Sequence, residues 1–597
     1  MKYPILRELE SDRKTVDVFR GYNHNPRIGD GEFFDMKNMT SDSYPILAPR
    51  GKRGRYLEGG NIQGMIAKDT LCYVDGSDFV IDGYRVDMKL STAEEDCPKT
   101  LVSMGAYVII LPDKMYLNTE DLTDFGMIEA VVTTNEPVTF TLCNIEGKDY
   151  TAQYSQPAEP TGVENMALWV DTSATPHTLK QWSESAGMWV SIATTYIKVA
   201  SPGIGVPFEK FDGITIGGLK DTVLYDNTTG AEIEDTEQLA ALDGTAIVWD
   251  KGDDYIVIVG ILDITRSVTN MITVSRTMPN MDFVIESGNR LWGCRYGPAA
   301  NGDVVNEIYA SKVGDFKNWS CYMSTAADSY AASVGTDGPF TGAITHLGYP
   351  LFFKEGFVHK VYGNFPANYQ IQTTACRGVQ RGCERSLAIV NEILYYKARS
   401  GVCAYDGSLP TEISYHLGNV RYGNAVAGAH GNKYYITMED EKGESHLFVY
   451  DAVKEMWHRE DGLQVDSFCS CRDELYYTDH GNGGIGTMFG SGETDTDEVE
   501  WMVETGVLGI TSPDMKYISR LTVRLSLEIG AEAEFYAQYD FSDEWVHLFT
   551  VEGTSLRSFS IPIRPKRCDH MKLRIAGRGG MKIYSLTKTV EQGSEIS

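Results

Sequence analysis

Short apolar or alternating runs, broken by Gly, Asn, Asp and Pro, make up most of this chain. That is the pattern of strands joined by tight turns. One unit is Ile62-Gln63-Gly64-Met65-Ile66-Ala67, a polar turn, and Leu71-Cys72-Tyr73-Val74. Comparable units occupy 101–110, 282–293, 344–353, 387–396, 425–438 and 467–478, and some run on into another strand, as at 401–407 and 447–451. Where contiguous, they recur roughly every 40 to 50 residues, the spacing of β-propeller blades. A blade covers its faces only against its neighbours, so the repeat predicts a closed ring of about six or seven blades. A β-sandwich or a string of small β-domains is the competing arrangement. Helical signals are scarce, the best being Glu232 to Leu242. The expected class is all-β.

Two regions break the repeat. Residues 131–275 are acidic, carry Pro157, Pro160 and Gly162 in a linker-like stretch, and hold Trp169, Trp182 and Trp189. They read as a β-rich module inserted into the propeller, since closure entropy grows slowly with loop length. After Gly492 an acidic connector leads to 501–597, where Arg520 to Leu527 alternates cleanly. Alternation marks a sheet with one wet face, and the block reads as a β-sandwich. The expected divisions are an N-terminal arm with first strands (1–55), propeller (56–130), inserted β-rich module (131–275), propeller (276–492) and C-terminal β-sandwich (493–597).

Composition adds to this picture. The 597 residues are 42% hydrophobic and 11% aromatic, enough to build real cores, and 34 Tyr with 59 Gly suit strands and turns. The formal net charge of −30 argues against a protein that grips nucleic acid through phosphates. It suits a generic acidic protein, or a wall past which DNA slides without sticking. Eleven cysteines are scattered, and the one close pair, Cys469 and Cys471, has a spacing for neither zinc nor redox chemistry. Residues 1–8 lack a signal-peptide core, and no apolar run is long enough for a membrane span. Synthesis in a cytosol is expected.

Candidate chemistry is sparse. Gly481-Asn482-Gly483-Gly484-Ile485-Gly486 fits GxGxxG, but no helix pattern follows, so a glycine-rich turn is expected. Asp495 to Glu498 lacks the spacing of a calcium loop. No zinc-protease or nucleophile-elbow motif is present. The chain reads as a non-enzyme with no catalytic residue, cofactor or metal. Propeller glycosidases use carboxylates that only folding brings together, so a glycan hydrolase stays as an alternative. Two basic clusters are interface candidates: Arg50, Lys52, Arg53 and Arg55, and Arg564, Lys566, Arg567, Lys572 and Arg574 with Arg578. DNA phosphate, an acidic partner subunit or plain solvent would each suit the first cluster; a contact with acidic neighbouring subunits is preferred for the second. The three tryptophans of the insert either form its core or stack on a carbohydrate.

Several stretches carry a family resemblance. Phe19-Arg20-Gly21-Tyr22-Asn23, Ile28 to Phe33, Met36 to Asp42 and Tyr44 to Arg50 resemble the N-terminal signature of tailed-phage virion proteins of the packaged-DNA stabilisation or tail-hub type. Leu351 to Gly363, Gly378 to Cys383, Leu394-Tyr395-Tyr396 and Ala404 to Gly407 resemble the same family. The resemblance spans 1–130 and 276–597 and omits the insert. It implies a hub or nozzle in the virion tail of a short-tailed phage, assembled in the host bacterial cytoplasm. Such a hub is a homo-oligomeric, typically hexameric ring below the portal and adaptor. It continues the DNA channel, retains the packaged genome and offers docking surfaces to fibres or spikes. A fibre-attachment or carbohydrate receptor-binding tail protein is the other non-enzymatic reading.

Overall fold

The computed structural model describes residues 11–592, apart from 94–97, 221–223, 227–231, 234–236, 300–301, 320, 322–327, 510–514, 541 and 564–565. Seven small antiparallel sheets follow one another along the chain. Six have four strands each, at 62–85, 100–127, 283–333, 342–375, 388–412 and 422–459. The seventh begins with Val465–Cys471, Glu474–Asp479 and Ile485–Thr487, then takes Gly54–Leu57 from the N-terminal segment and Glu493–Thr494. Each sheet's first strand lies beside the next one's, and Val465–Cys471 returns to Ile62–Ala67. Only between the fourth and fifth sheets does a short 3-10 turn, Glu384–Ser386, mediate the contact.

The ring is held by hydrophobic layers between consecutive sheets. Cys72, Val74 and Phe79 pack on Val108, Ile110 and Leu117. Val102 and Ile109 pack on Val284 and Leu291. Trp292 and Ile308 meet Phe352 and Val361, and Tyr435 and Val449 meet Leu475 and Tyr477. The last layer closes the circle, with Cys469, Cys471 and Ile485 against Leu71, Tyr73 and Val80. Each fully buried aliphatic or aromatic side chain stabilises by about 1.5–3 kcal/mol. The chain is therefore an all-β protein built on a β-propeller. The ten described cysteines are unpaired and eight of them are buried, where they serve as small apolar residues; Cys72, Cys294, Cys469 and Cys471 lie in these layers.

The insert leaves and rejoins the ring through paired strands, Ala130–Thr133 antiparallel to Thr273–Arg276. It has its own core, including Phe140, Ile197, Phe208, Ile214, Ile256 and Val274. The expected helix is reduced to Glu237–Ala240, while 234–236 lie outside the described residues.

The C-terminal block is one sheet folded over itself. The strand Lys516–Tyr539 pairs with Met581–Gln592 through its first half and with Met571–Arg578 through its second. It bends between the halves, where Gly530 has φ +86° and Ile529 is fully exposed. Alternate residues Leu521, Val523, Leu525 and Leu527, then Ala533, Phe535, Ala537 and Tyr539, fill the space between the layers. The sheet also recruits Ser11–Val16, Gly21–Tyr22 and Glu32–Lys37 from the other end of the chain. The N-terminal segment thus belongs to both bodies.

Ring closure depends on the short strand Gly54–Leu57. A Cβ on Gly54 would lie 2.5 Å from the Ser491 carbonyl oxygen and 2.6 Å from Thr487 Oγ1. Gly54→Val should therefore part this strand from the seventh sheet, and hydrogen exchange should speed up across 474–487 while the third and fourth sheets keep their protection.

Candidate functional site: the junction of propeller and sandwich

Residues 19–55 run between the two bodies and bind both. Gly21 has φ +84° and sits against the sixth sheet, where a Cβ would lie 2.4 Å from the Trp457 carbonyl oxygen. Only glycine combines that conformation with that approach. Asn38, also at positive φ, receives three tasks: its N–H donates to the Glu460 carbonyl (3.0 Å), its amide donates to the Glu500 carbonyl (2.7 Å), and its Oδ1 accepts from Arg50 Nε (3.0 Å). Ser41 Oγ donates to Asp451 (2.6 Å), Lys433 donates to Asp42 (2.6 Å), and Leu47 exchanges backbone hydrogen bonds with Ile583 of the sandwich.

A buried charge cluster lies at the centre. Arg53 reaches Asp461 at 2.7 Å and Glu460 at 2.8 Å, and Arg50 approaches the same pair at 3.3 and 3.4 Å. Burial works against the charge on Arg53, but the two carboxylates outweigh it and hold the guanidinium above its ordinary pKa. Burial and the like charge of Arg53 lower Arg50. Asp461 is buried as well, yet the two arginines keep its carboxyl below the usual range. Glu460 and Asp461 leave the end of the sixth sheet, so one ion cluster fixes the basic loop to the ring. On the far side Lys52 pairs with Glu498 at 3.0 Å, and a basin of about 560 Å³ opens beside it, lined by Arg50, Lys52, Glu498, Glu528 and Lys582.

The interface candidates have varied surroundings within the chain. Arg50 and Arg53 are internal braces, Lys52 is tied to the connector, and Arg55 pairs locally with Glu58. Lys572 and Arg574 both hold Glu504 at 2.9 Å, Arg574 stacks on Trp545, and Arg578 meets Glu532. Lys566 is exposed over the Tyr539 ring, Arg567 is exposed beside it, and Arg564 lies outside the described residues. Apart from Glu58, the partners of these cations sit far away in sequence, so composition alone marks the charge and not its use. Gly483 and its neighbours form the turn between Glu474–Asp479 and Ile485–Thr487. In the insert, Trp169 and Trp189 are buried, while Trp182 is partly exposed. His346 and His359 are buried; His359 lies between Thr336 and Thr373. Among the described residues, Asp440, Glu444 and His446 are close enough to share a metal ion, but Arg459 donates to His446 Nδ1 (3.1 Å), so the neutral ring carries its proton on Nε2 and directs it at Asp440 (3.2 Å). No helix among the described residues is long and apolar enough to cross a membrane.

No family model matches the chain, and no curated protein is similar to it. Among solved structures, it is similar to an exo-beta-1,3-galactanase from Phanerochaete chrysosporium bound to beta-1,3-galactotriose (9% identity, 51% of this chain and 94% of that one, TM-score 0.22). It is also similar to a Trypanosoma rangeli sialidase (9% identity, 96% of each chain, TM-score 0.20) and to U3-55K (6% identity, 74% and 97%, TM-score 0.26). These values are too low to carry chemistry from one chain to another, and the propeller assignment rests on the ring of sheets itself.

Two outcomes test the junction. Arg53→Met leaves Glu460 and Asp461 buried without their nearest cation and should cost about 3–5 kcal/mol in urea unfolding, with Arg53→Lys recovering only part because the fork geometry is lost. His458, buried in the sixth sheet near Lys433, has its pKa pushed down to about 3 by burial first and that charge second. The folded chain keeps it neutral while an unfolded chain protonates it near pH 6.5. Stability from this group is therefore full above about pH 6.5 and falls as pH drops toward about 3. His458→Gln should flatten the fall in Tm over that window, measured by scanning calorimetry.

Proposed function

We propose that this chain is a structural component of a short-tailed phage tail: a ring-forming hub or nozzle that continues the DNA channel, helps to retain the packaged genome and presents docking surfaces to fibres or spikes. One observation carries the reading. The segments that resemble the tail-hub family come together in a single core. Phe19, Tyr22, Phe33, Met36, Met39 and Leu47 pack with Leu351, Phe353, Val379, Cys383, Tyr396 and Tyr405, and the same core runs on into the sandwich through Trp501, Val523 and Phe535. These residues make one stiff unit of propeller and sandwich, as a mechanical part requires.

Charge supports the same reading. Most of the positive side chains in the two basic clusters are engaged by carboxylates of the chain, while its formal charge is −30. A surface of that sign lets a polyanion pass without trapping it. Several carboxylates near the junction hold cations or backbone amides, as Glu460 and Asp461 do with Arg53 and Glu474 does with the N–H groups of Phe489 and Ser491. A glycosidase, by contrast, needs two carboxyl groups facing one another across a sugar.

Native mass spectrometry with electron-microscopic class averages of the purified chain tests the proposal. A closed homo-oligomeric ring with a central pore is the expected result. A monomer that releases reducing sugar from glycans would overturn it in favour of a propeller glycan hydrolase. A monomer or trimer without such activity would overturn it in favour of a fibre-attachment or receptor-binding tail protein.

A further inference from the structure

The insert carries a second, independent feature. Its small sheet comprises Tyr154–Gln156, Leu168–Asp171, Thr178–Ser183 and Met188–Ser191, with Met188–Ser191 at one edge. Trp169 and Trp189 are spent inside it: they are buried, their rings meet at 5.3 Å, and their indole N–H groups donate to the carbonyls of Gln156 (2.8 Å) and Pro160 (3.4 Å). Trp182 is different. Its ring rests edge-on against Trp189 at 5.6 Å, it is partly exposed, and its N–H has no acceptor among the described residues. The ring is thus fixed from behind, and its polar edge stays unused.

Trp182 lines an open cleft of about 630 Å³ together with Asn165, Met166, Gln181, Glu184 and Val190. Met166 and Val190 are 62% and 47% exposed, so the cleft has apolar area that the module itself leaves wet. Beside this area stand a carboxylate and two amides. Among the described residues the Glu184 side chain pairs with no cation, and the Gln181 amide reaches only the Met166 carbonyl at 3.5 Å. Asn165 Oδ1 accepts from the Glu184 backbone N–H at 3.1 Å, which ties together the two turns that carry these residues.

We infer that this cleft binds a neutral glycan. The apolar area and the indole suit the C–H face of a pyranose ring, while amide and carboxylate groups suit adjacent hydroxyls, one accepting and the other both donating and accepting. No Lys or Arg lines the cleft, and Glu184 together with the net charge repels anionic ligands. Nucleic acid and sulfated or sialylated glycans are thereby disfavoured. This site does not rest on the hub reading: ring assembly and sugar binding fail separately, one by native mass and the other by titration.

The test uses the full chain and four neutral hexasaccharides (maltohexaose, cellohexaose, laminarihexaose and chitohexaose), with a heparin hexasaccharide as the anionic comparison. Calorimetric titration and intrinsic tryptophan fluorescence report binding. At least one neutral sugar is expected to bind and to shift the emission. Trp182→Ala and, separately, Glu184→Gln should each weaken that binding by about tenfold or more. Glu184 is exposed, so its variant keeps the proposal testable if Trp182→Ala fails to fold. Absence of binding to all four neutral sugars, unchanged affinity in Glu184→Gln, or preferential binding of the heparin fragment would each overturn the inference.

Discussion

A ring of sheets has a problem that a barrel solves with hydrogen bonds alone: its last member must be fastened to its first. Here the fastening is made by strands from opposite ends of the propeller sequence. Gly54–Leu57 adds to the seventh sheet, and the next strand of the chain, Ile62–Ala67, opens the first. The same stretch of polypeptide therefore closes the circle and starts it. Each layer between consecutive sheets is then held from both sides. The tie also brings Arg53 into the ring one residue before its closing strand, where Glu460 and Asp461 lock it. Closure and charge burial are one event.

That arrangement explains why the N-terminal segment has so few free side chains. It supplies three strands to the sandwich, one to the propeller, and polar groups that satisfy the Glu500 carbonyl on one body and the buried Asp451 carboxylate on the other. Two rigid β-bodies joined by a simple linker rock against each other. Joined by a shared core and a buried ion cluster, they move together. Stiffness across the junction is therefore written into residues 19–55 and not into either domain.

The sequence made part of this legible. The repeating units at 62–76, 101–110, 282–293, 344–353, 387–396, 425–438 and 467–478 each fall on the first two strands of a sheet, because a hairpin leaves its alternation and its turn residues side by side. The alternation of Arg520 to Leu527 likewise corresponds to a half-buried strand. The closing strand was illegible: Gly54-Arg55-Tyr56-Leu57 is four residues long, follows three cations, and reads as a loop. The roles of Arg50 and Arg53 were equally hidden, since their partners lie about four hundred residues away and no local pattern announces an ion pair of that span. Trp169, Trp182 and Trp189 could be grouped by composition, but only the fold separates two core rings from the one that meets solvent.

The paired strands at the base of the insert have a wider consequence. Because Ala130 stands opposite Arg276, the chain leaves the wheel and returns to it at almost the same point. From the ring's side, whatever hangs on that stalk is interchangeable: a shorter cap, a different binding head or a bare turn would each meet the same two anchor strands. The wheel's geometry is thus decoupled from whatever the stalk carries, so the surface chemistry of the appendage can change without any sheet of the ring having to shift.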